Sequence, residues 1–119
     1  GGMRKRVALA RAVVEMPVCV LYDEPHAGLD PITSDSIDHL IKDLETDHNI
    51  TNVVITHDLR SVFRIADRIA FMKEGTIYWC GTADELAAST DPELVNFVQG
   101  RAENRGEWDN VTPRIDTSE

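Results

Sequence analysis

Two adjacent carboxylates follow a short apolar run near the start of the sequence. The stretch "VCVLYDEPHAGLD", residues 18–30, places Asp23 and Glu24 side by side directly after residues 18–22. Neighbouring negative charges repel each other, so a cation or a proton-accepting role is expected there. An acid after a buried strand suits Mg²⁺, which takes oxygen ligands and keeps part of its hydration shell. An acid one residue later can accept a proton from a water molecule that attacks a phosphate, so the pair predicts metal-assisted hydrolysis.

A second group of polar residues follows the next apolar run. The stretch "TNVVITHD" ends in His57 and Asp58. Functional groups in open α/β sheets collect beyond the carboxyl ends of parallel strands, so we expect His57 to lie near the acids. Gly1 and Gly2 precede a helix-like stretch, where exposed amides and a helix N-terminus suit a phosphate. A structural histidine or a simple turn would explain either feature alone, and the interpretation depends on their combination.

The hydrophobic pattern predicts a layered α/β domain. The predicted elements, in order, are a helix at 4–16, a strand at 18–22, a helix from Pro31 to about Asp47 capped by Asp30, a strand at 51–56, a short helix after Asp58, a hairpin that turns at 73–75, and helices in "TADEL" and "DPELVNFV". We expect the first helix to be mostly buried. We expect the first strand to be covered on both faces, because it shows no polar alternation.

The composition is that of a globular protein. The 119 residues are 42% hydrophobic and 28% charged, and the net charge is −9, which argues against a general nucleic-acid surface. No apolar run approaches the roughly 18 residues that a membrane helix needs, and no signal peptide is recognisable. We therefore expect a cytoplasmic location and no nucleic-acid partner.

Four motifs in order resemble the C-terminal half of the nucleotide-binding subunit of ABC transporters. The stretch "GGM" is similar to the end of the LSGGQ signature, "CVLYDE" to the Walker B strand, "HAGLD" to the D-loop and "ITHD" to the H-loop. The resemblance implies the C-terminal part of a P-loop NTPase domain over residues 1–99, an α/β fold with helices layered on a mainly parallel sheet. Residues 100–119 are then a C-terminal tail that is disordered or docks on a partner.

The resemblance also implies roles for individual residues, with ATP and Mg²⁺ as cofactors. Asp23 would position Mg²⁺, Glu24 would polarise the attacking water, and His57 would contact the γ-phosphate. Glu24 and His57 are thus the expected catalytic residues.

The remaining implied roles concern a nucleotide shared between two subunits. Gly1, Gly2 and Met3 would present the signature to ATP held mainly by a partner subunit, and Asp30 would lie at the dimer interface. Met3 stands where the signature often has Gln, and His26 where the D-loop often has Ser or Thr. The resemblance implies a head-to-tail dimer of nucleotide-binding subunits that works with transmembrane permease subunits.

The phosphate-cradling half of such a domain is absent from the sequence. No GxxxxGK[ST] motif is present, so the Walker A loop is missing. We expect ATP hydrolysis in the full-length protein and no activity from these 119 residues alone.

The C-terminal part is similar to the ATPases of Mla/Mce-type lipid transport systems of bacteria. The methionine after the glycines and the ending "DPELVNFVQG" carry this assignment. It implies transport of phospholipids or other hydrophobic molecules, an Mce-type substrate-binding protein as a partner, and a peripheral location on the cytoplasmic face of the inner membrane.

Three alternatives stay open. The first is the ATPase of a polar amino-acid or ion ABC importer. The second is an ATPase of the chromosome-maintenance (SMC) and DNA-repair type, which the lack of sustained heptads and the negative charge disfavour. The third is a regulatory remnant, against which the intact Glu24 and His57 argue.

Overall fold

The computed structural model describes residues 2–103, with side chains to residue 100. This part contains helices and strands in the order α1 (Gly2–Val13), β1 (Cys19–Asp23), α2 (Pro31–His48), β2 (Thr51–Ile55), α3 (Leu59–Ile65), β3 (Ile69–Lys73), β4 (Thr76–Gly81), α4 (Ala83–Ala87) and α5 (Pro92–Glu103). It divides into two compact units between Ser61 and Val62. The expected α/β class is confirmed.

In the first unit, β1 and β2 pair in parallel. The register runs from Cys19 opposite Thr51 to Asp23 opposite Ile55. Both strands therefore end at the same edge of the sheet. The residues that follow them start from neighbouring positions, as the sequence predicted.

Helix α2 connects these strands and begins where the sequence predicted. Asp30 is the N-cap residue, with an extended backbone, and Pro31 opens the helix. The helix ends at His48 and is capped by Asn49, whose amide donates to the Glu45 carbonyl at 3.1 Å. The left-handed backbone of Asn49 (φ 55°) turns the chain so that the next amide, of Ile50, donates back to the Leu44 carbonyl at 3.2 Å. The buried face carries two polar residues among its members: Ser34, Ile37, Asp38 and Ile41.

Two burial predictions are wrong. No residue of α1 is buried among those described, and Val14, just after the helix, is 76% exposed. In β1 only Val20 is buried, while Leu21 is 76% exposed. The sheet that the structure describes here has two strands, which leaves α1 and one face of β1 largely without neighbours among the described residues.

The second unit is built on an antiparallel hairpin. Strands β3 and β4 are joined by Glu74 and Gly75, which both have positive φ (51° and 79°), as the right-handed twist of a two-residue hairpin demands. Next, Thr82 caps α4 by accepting from the Glu85 amide, which confirms the predicted cap. The core of the unit contains these side chains: Leu86, Ala87, Leu94 and Val98.

Helix α5 extends to Glu103, into the segment predicted as a tail. Residues 104–119 lie outside the part that the structure describes. Within the described part, no helix is both long and apolar enough to cross a bilayer.

Candidate functional site

The two predicted catalytic residues are in contact. Oε1 of Glu24 lies 2.8 Å from Nδ1 of His57. The Glu24 side chain is 35% exposed and that of His57 is 51% exposed, so both groups are open to solvent. The parallel register of β1 and β2 brings them together, because Glu24 follows β1 and His57 lies two residues beyond β2.

The Glu24 backbone is held from several sides. Its amide donates to the Ile55 carbonyl at 2.7 Å, which continues the ladder one residue past the strand. Its carbonyl accepts from Nζ of Lys5 and from the Ala27 amide, each at 3.2 Å. Glu24 also has a left-handed φ of 48°, an uncommon conformation for a residue with a side chain. These bonds stabilise a conformation that turns the acid out of the line of the strand.

Asp23 is the last residue of β1 and is exposed. Within the described residues, no hydrogen bond or ion pair engages its carboxylate. A free carboxylate at a strand end fits Mg²⁺, which is usually bound by one or two carboxylates together with phosphate and water oxygens. The described part contains no group of three or more His, Cys, Asp or Glu residues that could hold a metal alone. Asp23 would therefore be one ligand among several.

The Asp30 side chain caps the start of α2. Its carboxylate accepts from the Thr33 amide at 3.4 Å and from the Thr33 hydroxyl. The hydroxyl bond is the main cause that lowers the pKa of this exposed carboxyl group below its usual value. A capping carboxylate of this kind is fixed in direction while it stays open to solvent.

The glycine end of α1 lies against the same turn of α2. A Cβ on Gly2 would lie 2.5 Å from Cγ2 of Thr33, so only glycine fits there without a shift. Met3 is 72% exposed, and Gly1 lies outside the described residues. Thr33 thus contacts Asp30 and Gly2, two of the residues assigned to the shared nucleotide.

A cavity of about 160 Å³ lies between α1 and β1, and its walls are mainly apolar. Ligand sites usually enclose about 300 to 1,000 Å³, so we do not assign a nucleotide to this space. Tyr22 lies on its wall, and its hydroxyl donates to Oδ1 of Asn52 at 3.0 Å. Burial, and secondly Cys19, raise the pKa of Tyr22 to about 12.

Sequence reasoning missed two features beside the acid. The first is Lys5, whose Nζ donates to the Glu24 carbonyl at 3.2 Å. The second is a buried contact among His26, Asp38 and Ser61. Asp38 is more buried than the apolar Leu40 and Leu44 of the same helix, so hydrophobicity alone does not identify it as a core residue.

The Glu24 and His57 pair has a defined hydrogen-bond polarity. An ionised carboxylate only accepts, so Nδ1 of His57 must donate to Oε1. Oε2 of Glu24 is then available to take a proton from water. Nε2 of His57 faces away from this bond, and in the protonated ring it can donate to an anionic oxygen. The pair can therefore combine proton acceptance with contact to a phosphate.

Comparison with known proteins gives relatives of one kind, although no protein-family model matches the chain. The chain is 38% identical over 103 residues to the intermembrane phospholipid transport system ATP-binding protein MlaF of Haemophilus influenzae, and the match covers 87% of this chain and 39% of MlaF. It is 39% identical over 101 residues to the glycine betaine/carnitine/choline transport ATP-binding protein OpuCA of Bacillus subtilis, covering 85% of this chain and 27% of OpuCA. The chain thus spans about two fifths or less of these curated relatives.

Solved structures agree in fold. The dimeric post-hydrolysis structure of the ATP-binding cassette MJ0796 bound to ADP and Pi has a TM-score of 0.62 and 36% identity, over 68% of this chain and 34% of that one. The ADP conformation of MJ1267, an ATP-binding cassette of an ABC transporter, has a TM-score of 0.71 and 30% identity, over 84% of this chain and 40% of that one. The homologues of this chain are therefore ABC transporter ATP-binding proteins, and the matched part of the chain has the fold of the corresponding part of an ABC ATPase cassette.

Proposed function

We propose that the chain is part of the ATP-hydrolysing subunit of a bacterial ABC transporter. The observation that carries the proposal is the 2.8 Å contact between Glu24 and His57, beside the free carboxylate of Asp23. All three residues lie at the carboxyl ends of the parallel strands, where α/β proteins commonly bind nucleotides. Homologous ABC cassettes hydrolyse ATP, which supports the same reaction here.

In this proposal each group has one task. Oε2 of Glu24 accepts the proton of the water that attacks the γ-phosphate. His57 keeps Glu24 oriented through Nδ1–H, and when its ring is protonated it also donates from Nε2 to a γ-phosphate oxygen. Asp23 would hold Mg²⁺, which when bound neutralises charge on the phosphates.

The proposal also includes a second subunit. Gly2 and Met3 begin α1, and together with Gly1, which precedes them in the sequence, they would present backbone amides to a nucleotide held mainly by the partner. Asp30 caps α2 with its carboxylate open to solvent, which suits a place at the dimer interface. The dimeric structure of the cassette MJ0796 supports this assembly. The proposal further includes permease subunits in the membrane. The dimer would bind them as a peripheral ATPase at the cytoplasmic face.

For the transported substrate we propose a phospholipid or a similar hydrophobic molecule, with an Mce-type substrate-binding protein as a further partner. The 38% identity to MlaF, an intermembrane phospholipid transport protein by name, supports this choice. The 39% identity to OpuCA favours a second candidate, the import of a small polar or quaternary amine. Both candidates use the same hydrolysis site.

Hydrolysis is tested on the purified full-length protein by phosphate release with Mg²⁺ and ATP. We expect saturable release, and we expect Glu24→Gln to lower kcat by about 100-fold or more while ATP is still bound, because the amide cannot accept the proton. Glu15→Gln is the matched control, since Glu15 is exposed and lies outside the site. Equal rates for the protein and its Glu24→Gln variant would overturn the proposal.

The substrate is tested on the complete transporter in lipid vesicles. We expect a fluorescent phospholipid to move between membranes only when ATP is present and Glu24 is intact. ATP-driven uptake of choline, with no movement of phospholipid, would replace the lipid assignment by the second candidate.

A further inference from the structure

Three polar side chains form a buried cluster beside the candidate site. His26 is 6% exposed, Asp38 is 1% exposed and Ser61 is 2% exposed. They come from the turn after β1, the middle of α2 and the first turn of α3. Buried polar groups cost free energy unless they are hydrogen-bonded to one another, so this contact must be specific to persist.

The hydrogen bonds of the cluster fix the proton on the histidine ring. Oγ of Ser61 donates to Oδ2 of Asp38 at 2.7 Å. Since that hydroxyl has one proton, its 3.1 Å contact with Nε2 of His26 requires the ring nitrogen to donate. Nε2 also lies 2.5 Å from Oδ1 of Asp38. Nε2–H is therefore shared between the serine and the carboxylate.

Among the described residues, the ring makes its hydrogen bonds from the Nε2 side. Nδ1 of His26 is buried and makes no hydrogen bond within the described residues. The bonds that Nε2 makes therefore tie the ring, and through it the turn after β1, to α2 and α3.

The cluster joins the two backbone segments that carry the candidate catalytic pair. His26 lies two residues after Glu24, and Ser61 lies four residues after His57. The Glu24 and His57 side chains are half-exposed, and their own bond faces competition from water. The side-chain hydrogen bonds of the buried cluster also link the two backbone segments, and burial shields these bonds from water.

We propose that His26 is a positioning residue for the hydrolysis reaction. Through Asp38 and Ser61 it holds the turn after β1 at a fixed distance from the start of α3. Glu24 is thereby kept in register with His57 and with the attacking water. This inference rests on the proposed function, and it assigns to His26 a role in kcat rather than in nucleotide binding.

The test uses the full-length protein and separates positioning from packing. His26→Phe keeps a planar aromatic ring, somewhat larger than imidazole, and removes both nitrogens. We expect kcat for ATP hydrolysis to fall about tenfold or more, because small misplacements at a reacting centre are costly. The KM for Mg-ATP should stay close to that of the unchanged protein, whereas the Tm should fall, because the buried Asp38 carboxylate loses one of its hydrogen-bond partners.

A conservative variant provides the rescue. The amide nitrogen of glutamine can occupy the place of Nε2 and donate to Asp38, so His26→Gln should keep kcat within about threefold. His26→Asn has the same amide on a shorter side chain and should fall about tenfold below His26→Gln. His39→Gln is the matched control, because His39 is exposed on the same helix, next to Asp38.

Each outcome decides the question. A normal kcat in folded His26→Phe, with Glu24→Gln inactive, would overturn the inference and leave the proposed function standing. If His26→Phe fails to fold, equal kcat values for His26→Gln and His26→Asn would overturn it instead. Absence of hydrolysis by the unchanged protein would overturn both.

Discussion

Glu24 and His57 are joined by a hydrogen bond of 2.8 Å although 33 positions separate them in the sequence. The parallel pairing of β1 with β2 creates this contact, because the two strands end side by side. The orientation of the Glu24 carboxylate therefore depends on His57, which follows a different strand. This dependence makes His57 the first residue to test.

Variants of His57 should separate the tasks of its two nitrogens. Asparagine places an amide near the position of Nδ1 and can keep the bond to Glu24, whereas glutamine places one near Nε2. We expect His57→Ala to lower kcat by about 100-fold and both amide variants to fall between alanine and the unchanged protein. Phosphate release by the full-length protein measures this. His48→Ala is the control, since His48 is exposed in the last turn of α2. A kcat for His57→Ala within about twofold of the unchanged protein would contradict the assignment.

Gly2→Ala should lower the Tm of the full-length protein. Alanine is favoured over glycine in a helix by about 1 kcal/mol, yet its Cβ would lie 2.5 Å from Cγ2 of Thr33. Thr33 cannot rotate away freely, because its hydroxyl is bonded to Asp30. Adding Thr33→Ser removes Cγ2 and keeps the hydroxyl, so the double variant should recover the Tm. A single Gly2→Ala variant that is more stable than the unchanged protein would show that the two helices are not in contact.

The ionisation of Tyr22 should appear near pH 12. Burial raises its pKa to about 12 from the usual value of 10.0. The folded state thus favours the neutral phenol, and the stability from this group is complete below pH 10 and is lost as the pH rises towards 12. The difference in tyrosinate absorbance between the protein and its Tyr22→Phe variant measures the pKa. A difference that titrates near pH 10 in the folded protein would refute the burial argument.

Leu94→Ala should destabilise the second unit. Leu94 is 1% exposed, and deletion of a fully buried leucine side chain leaves a cavity that costs about 2 to 5 kcal/mol. Urea denaturation of the full-length protein, followed by circular dichroism, measures the loss. Gln99→Ala on the exposed face of α5 serves as the control. A loss below about 1 kcal/mol would mean that the core around Leu94 is not close-packed.

The parts of the fold that the sequence predicted are those set by neighbouring residues. Asp30 with Pro31 defined the start of α2, and Thr82 with Glu85 defined the start of α4. The Glu74 and Gly75 turn defined the hairpin. Each of these depends on backbone chemistry within a few positions, so a single sequence contains enough information.

Burial was harder to predict, because it depends on what a segment packs against. The apolar residues of β1 indicated a strand covered on both faces, yet a two-stranded sheet leaves Leu21 exposed. The contact of Glu24 with His57 was expected from the strand ends, whereas the cluster of His26 with Asp38 and Ser61 was not. Hydrogen bonds across 12 and 35 positions leave no periodic signal in a sequence.

The bond from Lys5 to the Glu24 carbonyl gives α1 a direct connection to the acid. The Glu24 amide donates to the Ile55 carbonyl of β2. The backbone of Glu24 is therefore hydrogen-bonded to a strand through its amide and to a helix through its carbonyl. A tilt of α1 would change the hydrogen bonding at Glu24 while the sheet stays in place. A displacement of the glycine end of α1 would thus change the hydrogen bond between Lys5 and the Glu24 carbonyl.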